Sequence, residues 1–288
     1  MKHILLIISL LAFSGIANAK DELTLLNTGS KSGSFAVQMT TLSQDLSDQF
    51  NVDLKIPGDY CTAASMMDDI KGPLIVPYAN DFEAIGKEGM GCETLEFEPA
   101  QVVRYDSTAF AICSMNGDND SFMVDRVTVG HSLPASVFQR SIEAINDSFG
   151  ASLTPIPYEG SGNTKTALYN GEVDYVLLSI KHGRDIMSNG GKCHYEFSND
   201  ANSDLIALGT LDTGNKQFIA GYDAVWIAYN MDAQQIDSLR TLIAEIHSDP
   251  SSGMYEYTNG GKNLQVYFDL SSEEIMYKWS SSVANLQE

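Results

Sequence analysis

The chain has 288 residues, with 38 Asp and Glu against 17 Lys and Arg, giving a formal charge of -21 and a pI near 4.4. Its length suggests two domains, and 43% hydrophobic beside 19% charged residues is the composition of a globular protein with substantial cores. So negative a surface repels phosphate backbones and anionic headgroups, which excludes nucleic acid as a partner and disfavours peripheral membrane binding. If the ligand is an anion, its site must offset the protein's own field.

Residues 1–19 read as a secretory signal. Lys2 and His3 form the polar start, Ile4 to Phe13 the apolar core, and Ala17-Asn18-Ala19 the cleavage site, cut after Ala19. The apolar run is shorter than the about 20 residues of a membrane span, and no cysteine follows it to carry a lipid anchor. Export to the periplasm would place Cys61, Cys92, Cys113 and Cys193 where disulfides form.

The next elements alternate strand, glycine turn and helix. Leu23 to Asn27 is a predicted strand entering the turn Thr28-Gly29-Ser30-Lys31-Ser32-Gly33-Ser34. Phe35, Met39, Leu42, Leu46 and Phe50 then recur at helical spacing. Val52 to Ile56 reads as a strand and Ala63 to Ile70 as a helix, and Pro73 to Pro77 leads into Tyr78-Ala79-Asn80. The pattern restarts with a strand from Arg126 to Val129, the step Gly130-His131-Ser132, and a helix opened by Pro134 and stopped at Gly150. Leu153 to Tyr158 is a strand, Glu159 to Gly162 a turn, Asn163 to Tyr169 a helix and Asp174 to Ser179 a strand. Asp232 with Gln235 and Ser271 with Glu274 are capping boxes that open two late helices.

This alternation predicts α/β layers in two lobes. Strand-like Tyr105 to Ser114 and Tyr222 to Tyr229 stand where the chain would cross between them. The expected division is 20–108 with 228–288 in a discontinuous first lobe, and 109–227 in the second. Four cysteines allow three pairings, and none has zinc spacing. Cys61–Cys92 with Cys113–Cys193 is expected because it keeps each bridge near one lobe.

In open α/β sheets ligands bind where strands end and helices begin. Ser30 to Ser34, with one glycine and three hydroxyls before a helix start, would offer N–H groups and a favourable dipole to a small carboxylate. Gly130-His131-Ser132 repeats that chemistry. Tyr78, Asn80, Tyr158, Gly160 and Ser179 stand at the other strand ends. The tyrosines either pack or face the cleft, and Asp174 either accepts structural hydrogen bonds or receives a ligand hydroxyl or ammonium. His131 near an anion would be protonated, so that affinity would fall as pH rises. Gly160 to Thr166 lacks the glycine before Lys165 that a phosphate loop requires, and Asn116 to Asp120 does not open a calcium loop. No local signature marks a nucleophile, a metal site or a cofactor site, although a triad could still assemble in space.

The stretch from Val127 to Ser179, with IPYEGSGNTKTALYNGEVDYVLLS from Ile156, resembles the periplasmic solute receptors of tripartite tricarboxylate transporters, the Bug-type binding proteins. LTLLNTGSKSGSFAVQMTTLSQDLS near the N-terminus is similar to the family's first strand, glycine loop and helix, although relatives commonly have a double glycine and an Asp there. The resemblance implies a type II periplasmic binding protein, two α/β lobes joined by two crossing strands, which captures a carboxylated solute and delivers it to an integral-membrane permease. It implies ligand contacts at Ser32, Gly33, Ser34, Phe35, His131, Ser132, Tyr158, Gly160 and Asp174. The resulting expectation is a monomeric, non-catalytic receptor for a small organic acid. A sensor for a membrane signalling protein, a secreted hydrolase, and a receptor for an amino acid or other solute with an ammonium group anchored at Asp174 are the alternatives.

Overall fold

Among the described residues, twelve strands form two six-stranded sheets of matching plan, each flanked by helices. The structure is a computed structural model that describes residues 20–133, 136–197, 205–208, 222–259 and 264–287. The signal segment expected at 1–19 and the helix start expected at Pro134 lie outside those residues.

The first lobe contains β1 (Asp21–Leu26), α1 (Ser34–Leu46), β2 (Phe50–Lys55), α2 (Tyr60–Met67), β3 (Leu74–Ala79), α3 (Asn80–Met90) and β4 (Val102–Thr108). The second follows with β5 (Phe110–Ser114), α4 (Asn119–Val124), β6 (Arg126–Ser132), α5 (Val137–Phe149), β7 (Ser152–Tyr158), α6 (Gly160–Tyr169), β8 (Tyr175–Ser179), α7 (Ile180–Ser188), β9 (Lys192–Glu196) and β10 (Ile206–Ala207). The chain then returns to the first lobe with β11 (Tyr222–Tyr229), α8 (Ala233–Ser248), α9 (Gly253–Asn259), β12 (Leu264–Tyr267) and α10 (Ser272–Gln287).

The sheet orders are β2-β1-β3-β11-β4-β12 and β7-β6-β8-β5-β9-β10. In each lobe the first β/α unit gives three parallel strands, and an antiparallel strand is inserted beside the third: β11 against β3, β5 against β8. That inserted strand comes from beyond the lobe's own β/α units, which ties the two lobes together. Two expectations are corrected here. The stretch from Tyr105 to Ser114 is two strands, one in each sheet, with the change of lobe at Ala109. All of β11 pairs within the first sheet, so residues 222–227, assigned by sequence to the second lobe, belong to the first.

Each sheet buries one stripe per helix. Met39, Leu42 and Leu46 of α1 meet Leu23 and Leu25 of β1 and Trp226 of β11. Ile142 and Ile145 of α5 meet Val127, Val129 and Leu177. Phe50, read as the end of the α1 stripe, instead opens β2 and packs against the same core, because a strand beginning there can supply the same apolar contact. The turn expected at Glu159 to Gly162 is already the first turn of α6. α3 buries Phe82, and α7 buries Ile180, Gly183 and Ile186 along one face.

Both expected disulfides are present, Cys61–Cys92 beside α2 and Cys113–Cys193 across β5 and β9. They close sequence separations of 31 and 80 residues. Replacing the cysteines pairwise by Ser should lower the unfolding free energy by about 3.5 kcal/mol for the shorter loop and about 4.5 kcal/mol for the longer. Urea unfolding of the two double variants measures both.

Candidate ligand site between helix starts

A cavity of about 70 Å³ lies between the lobes, and five helix starts contribute to its wall. Gly33, Ser34 and Phe35 come from α1, Asp81 and Phe82 from α3, Val137 and Phe138 from α5, Gly160 and Ser161 from α6, and Ser179 precedes α7. The first N–H groups of any helix have no partner within it. In all five of these helices the N-cap residue makes no side-chain cap. The helices that start elsewhere are capped. Asp59 accepts from Thr62 N in α2, Asp118 from Ser121 N in α4 and Asp232 from Gln235 N in α8. Asp45 accepts from Gly253 N and Met254 N of α9, and Ser271 with Glu274 closes a capping box on α10. Helix starts without an N-cap side chain are therefore gathered around one cavity, where helix dipoles favour negative charge, and at α3 the Asp81 carboxyl accepts from its own N–H and that of Phe82.

The first loop is shaped by its own side chains. Asn27 Nδ2 donates to Gly29 O at 2.7 Å, and Gly29 N donates back to Asn27 Oδ1 at 3.2 Å. Gly33 N donates to Ser30 O at 3.1 Å, and a Cβ on Gly33 would come within 2.8 Å of Ser30 Oγ. Lys31 leans the other way, its aliphatic chain covering Gly58. The loop thus presents backbone and hydroxyls, not a cation. In the second lobe Ser132 and Ser161 share a 3.0 Å hydrogen bond, and Leu133 holds a strained backbone at φ 62°.

The lobes meet at the rim. Ser32 Oγ donates to Glu159 O at 3.3 Å, and Ser34 Oγ lies 3.2 Å from His182 Nε2. Lys181 Nζ stands 2.8 Å from the ring centroid of Tyr257, and burial lowers its pKa to about 8.

Of the residues singled out by sequence, Ser30, Gly33, Ser34, Phe35, Ser132, Gly160 and Ser179 line the cavity. Ser32 is displaced to the rim contact. Tyr78 is fully buried among Tyr60, Phe82 and Trp279, with its hydroxyl donating to Glu83 Oε2 at 2.8 Å. Asn80 begins α3 without lining the cavity, and Tyr158 packs beside the α6 core. Two expectations fail on position. His131 is enclosed on the strand face shared with Val127 and Val129, and burial pushes its pKa down. A neutral ring there supplies no charge, so the expected pH dependence through His131 does not follow. Asp174 lies at the opposite end of β8, where Oδ2 accepts from Thr128 N and Thr128 Oγ1 at 2.8 Å each. It is a clasp between β6 and β8.

Sequence reading passed over Asp81, Phe82, Val137, Phe138 and Ser161, although Asp81 and Ser161 directly follow residues that it named. Asp81 Oδ1 is enclosed without a hydrogen-bond partner. Burial raises the Asp81 pKa to about 6, against smaller lowering by the N–H groups of Phe82 and Asp81 itself and by Arg140.

A scan of protein-family models matches none of the chain, and no curated protein matches it by sequence. Solved structures match closely in fold. An R. palustris protein determined with adipate superposes with a TM-score of 0.70 at 14% identity, covering 94% of this chain and 95% of that one. MatC from Rhodopseudomonas palustris with bound malate gives 0.66 at 12% identity, covering 94% and 99%. The periplasmic binding protein BugD gives 0.69 at 12% identity, covering 94% and 96%. The fold is that of a type II periplasmic binding protein. Within that class the chain resembles the TctC- and Bug-type receptors.

The raised pKa of Asp81 has a measurable consequence. Its charge is disfavoured in the fold, so the contribution of Asp81 to stability is fully present below the unfolded pKa of 3.8 and is lost as pH rises through about 6. Asp81→Asn should therefore be more stable than the parent at pH 7.5, by on the order of 2 kcal/mol, with the gap closing near pH 4. Melting temperatures across pH 4–8 test this. Asp174→Ala should instead cost about 1–2 kcal/mol at neutral pH by breaking the clasp.

Proposed function

We propose that this protein is a periplasmic receptor that encloses a small carboxylated solute between its lobes and hands it to an integral-membrane transporter. The observation carrying the proposal is the contrast in capping: the described helices that start around the cavity have no N-cap side chain bonded to their first turn, while those elsewhere are capped by acids or hydroxyls. A carboxylate oxygen accepts from such N–H groups at hydrogen-bond distance without any formal cation. This resolves the difficulty posed by the charge of -21, because oriented N–H groups act at close range whereas surface acids are screened. The likeness in fold to proteins solved with adipate and malate supports the same ligand chemistry. It also supports a binding role without catalysis and a location in the periplasm, to which residues 1–19 would direct the chain. We assign Ser30, Gly33, Ser34 and Phe35 of the first lobe and Ser132, Gly160 and Ser161 of the second to ligand contact. Ser32 serves closure, and the chain acts as a monomer.

Capture by hinge closure makes the lobe contact part of the affinity. Gly160 has φ +78°, and a Cβ there would lie 2.3 Å from Ser30 Oγ and 2.8 Å from Ser32 Oγ. Gly160→Ala should hold the lobes apart and weaken binding at least tenfold, while Lys31→Ala changes affinity less than twofold. The probes are small mono- and dicarboxylates, read first by thermal shift and then by titration calorimetry. A bound ligand in excess raises the melting temperature by mass action. A shift with sugars alone, or loss of binding in Lys31→Ala with Gly160→Ala unaffected, rejects the proposal.

A further inference from the structure

Ser34 lines the cavity at the start of α1, and its hydroxyl is held from the opposite lobe. Ser34 Oγ lies 3.2 Å from Nε2 of His182, a buried residue in the first turn of α7. The other ring nitrogen, Nδ1, faces Asp185 one turn on, with Oδ2 at 3.8 Å. Asp185 Oδ2 also accepts from Lys165 Nζ of α6 at 2.7 Å. The charged groups acting on the ring are Asp185 and Lys181 of α7 itself and Lys165 of α6. From the first lobe, α1 brings Ser34, with no acidic residue in its first turn, and α9 brings Tyr257, whose ring Lys181 covers. On the sheet side of α7, Gly183 rests on the Cys113–Cys193 disulfide, which does not titrate.

These neighbours set the direction of the hydrogen bond. A neutral imidazole carries one proton, and the Asp185 carboxylate favours it on Nδ1, since a bare Nδ1 would turn its lone pair toward that charge. Nε2 is then the acceptor, and the Ser34 hydroxyl donates to it. In that state Ser34 offers the cavity a lone pair, which a carboxylate cannot use. Burial favours the neutral ring, pushing its pKa down despite Asp185. A second proton on the ring reverses the bond: Nε2–H donates to Ser34 Oγ, and the Ser34 O–H is released to donate to a carboxylate oxygen. We propose that the receptor takes up a proton together with its carboxylate ligand, and that His182 receives it and so positions the Ser34 hydroxyl as a donor. This deepens the receptor reading above and rests on it. The ligand's own charge favours the same protonation, because a nearby anion stabilises an imidazolium. Binding thus raises the His182 pKa, so affinity is full below the ligand-free pKa and is lost as pH rises through the ligand-bound one. The pH dependence that sequence offered to His131 passes to His182.

Titration calorimetry of the whole protein with acetate, propionate, succinate and malate, repeated in buffers of different ionisation enthalpy, counts the protons. The tightest of these acids should bind with a net uptake of at least about 0.3 proton per site within pH 6.5–8, and its affinity should fall about threefold or more across that range. His182→Gln keeps a group that can donate to Ser34 without titrating, so uptake should vanish and affinity become flat in pH. Asp185→Asn frees the ring to carry its single proton on Nε2, so uptake should fall by at least half. Asp81, with its pKa near 6, is the competing acceptor of a proton. Uptake that survives in His182→Gln and vanishes in Asp81→Asn overturns the assignment to His182. Binding without proton uptake overturns the inference and leaves the receptor standing, its ligand held by N–H groups alone. If none of the acids binds, both readings fall. The proton count on the parent protein stands as a test even if a variant folds poorly.

Discussion

Every α-helix begins with N–H groups that its own backbone cannot satisfy, and the way this chain meets that obligation divides the molecule in two. Away from the cavity, an acid or hydroxyl answers the open N–H groups: Asp59, Asp118, Asp232, the pair Ser271 and Glu274, and Asp45 reaching across to α9. Around the cavity the N-cap positions are Gly33, Ala79, Ser136, Glu159 and Ser179, and none of them caps its helix with a side chain. The proposed ligand site rests on that difference. The packing beneath them, from the α1 stripe on β1 to the α5 stripe on β6, holds the open ends in register.

The same constraint explains the glycines of the site. Backbones that bring N–H groups onto a common point must approach closely. At Gly33 and Gly160 a side chain would collide with Ser30. The topology then does the converging. Parallel strands deliver their helices to one end of a sheet, and two such ends face each other when the lobes meet. The inserted strands β11 and β5 lie beside the parallel strands at the middle of their sheets.

Acidity works differently at the surface and in the site. The many exposed carboxylates keep the protein charged and hydrated, and ionic strength limits their reach. Asp81 is one carboxyl among 38 acidic residues, and it lines the cavity, where burial raises its pKa. Lys31, the cation of the first loop, contributes less than its position in the sequence suggests, since it folds over Gly58.

The sequence by itself determined the two-lobed α/β plan, the glycine-serine turn at residues 28–34 and the late helix caps, since these depend on residues close in the chain or on periodicity along it; the disulfide pairing, over separations of 31 and 80 residues, was decided by the tertiary structure. The sequence also placed Ser30, Gly33, Ser34, Phe35, Ser132, Gly160 and Ser179 at strand ends, where they line the cavity. Only the tertiary structure decided which strand-end residues face inward. His131 and Ser132 are neighbours in β6, and the alternation of a strand sends one into the core and the other to the cavity. Asp174 and Asp81 carry the same carboxyl group. Asp174 lies beside Thr128 at the far end of its sheet, whereas Asp81 lies between two lobes that meet only after the chain has crossed from one to the other. Enclosure is a property of several segments at once, and no local pattern of residues records it.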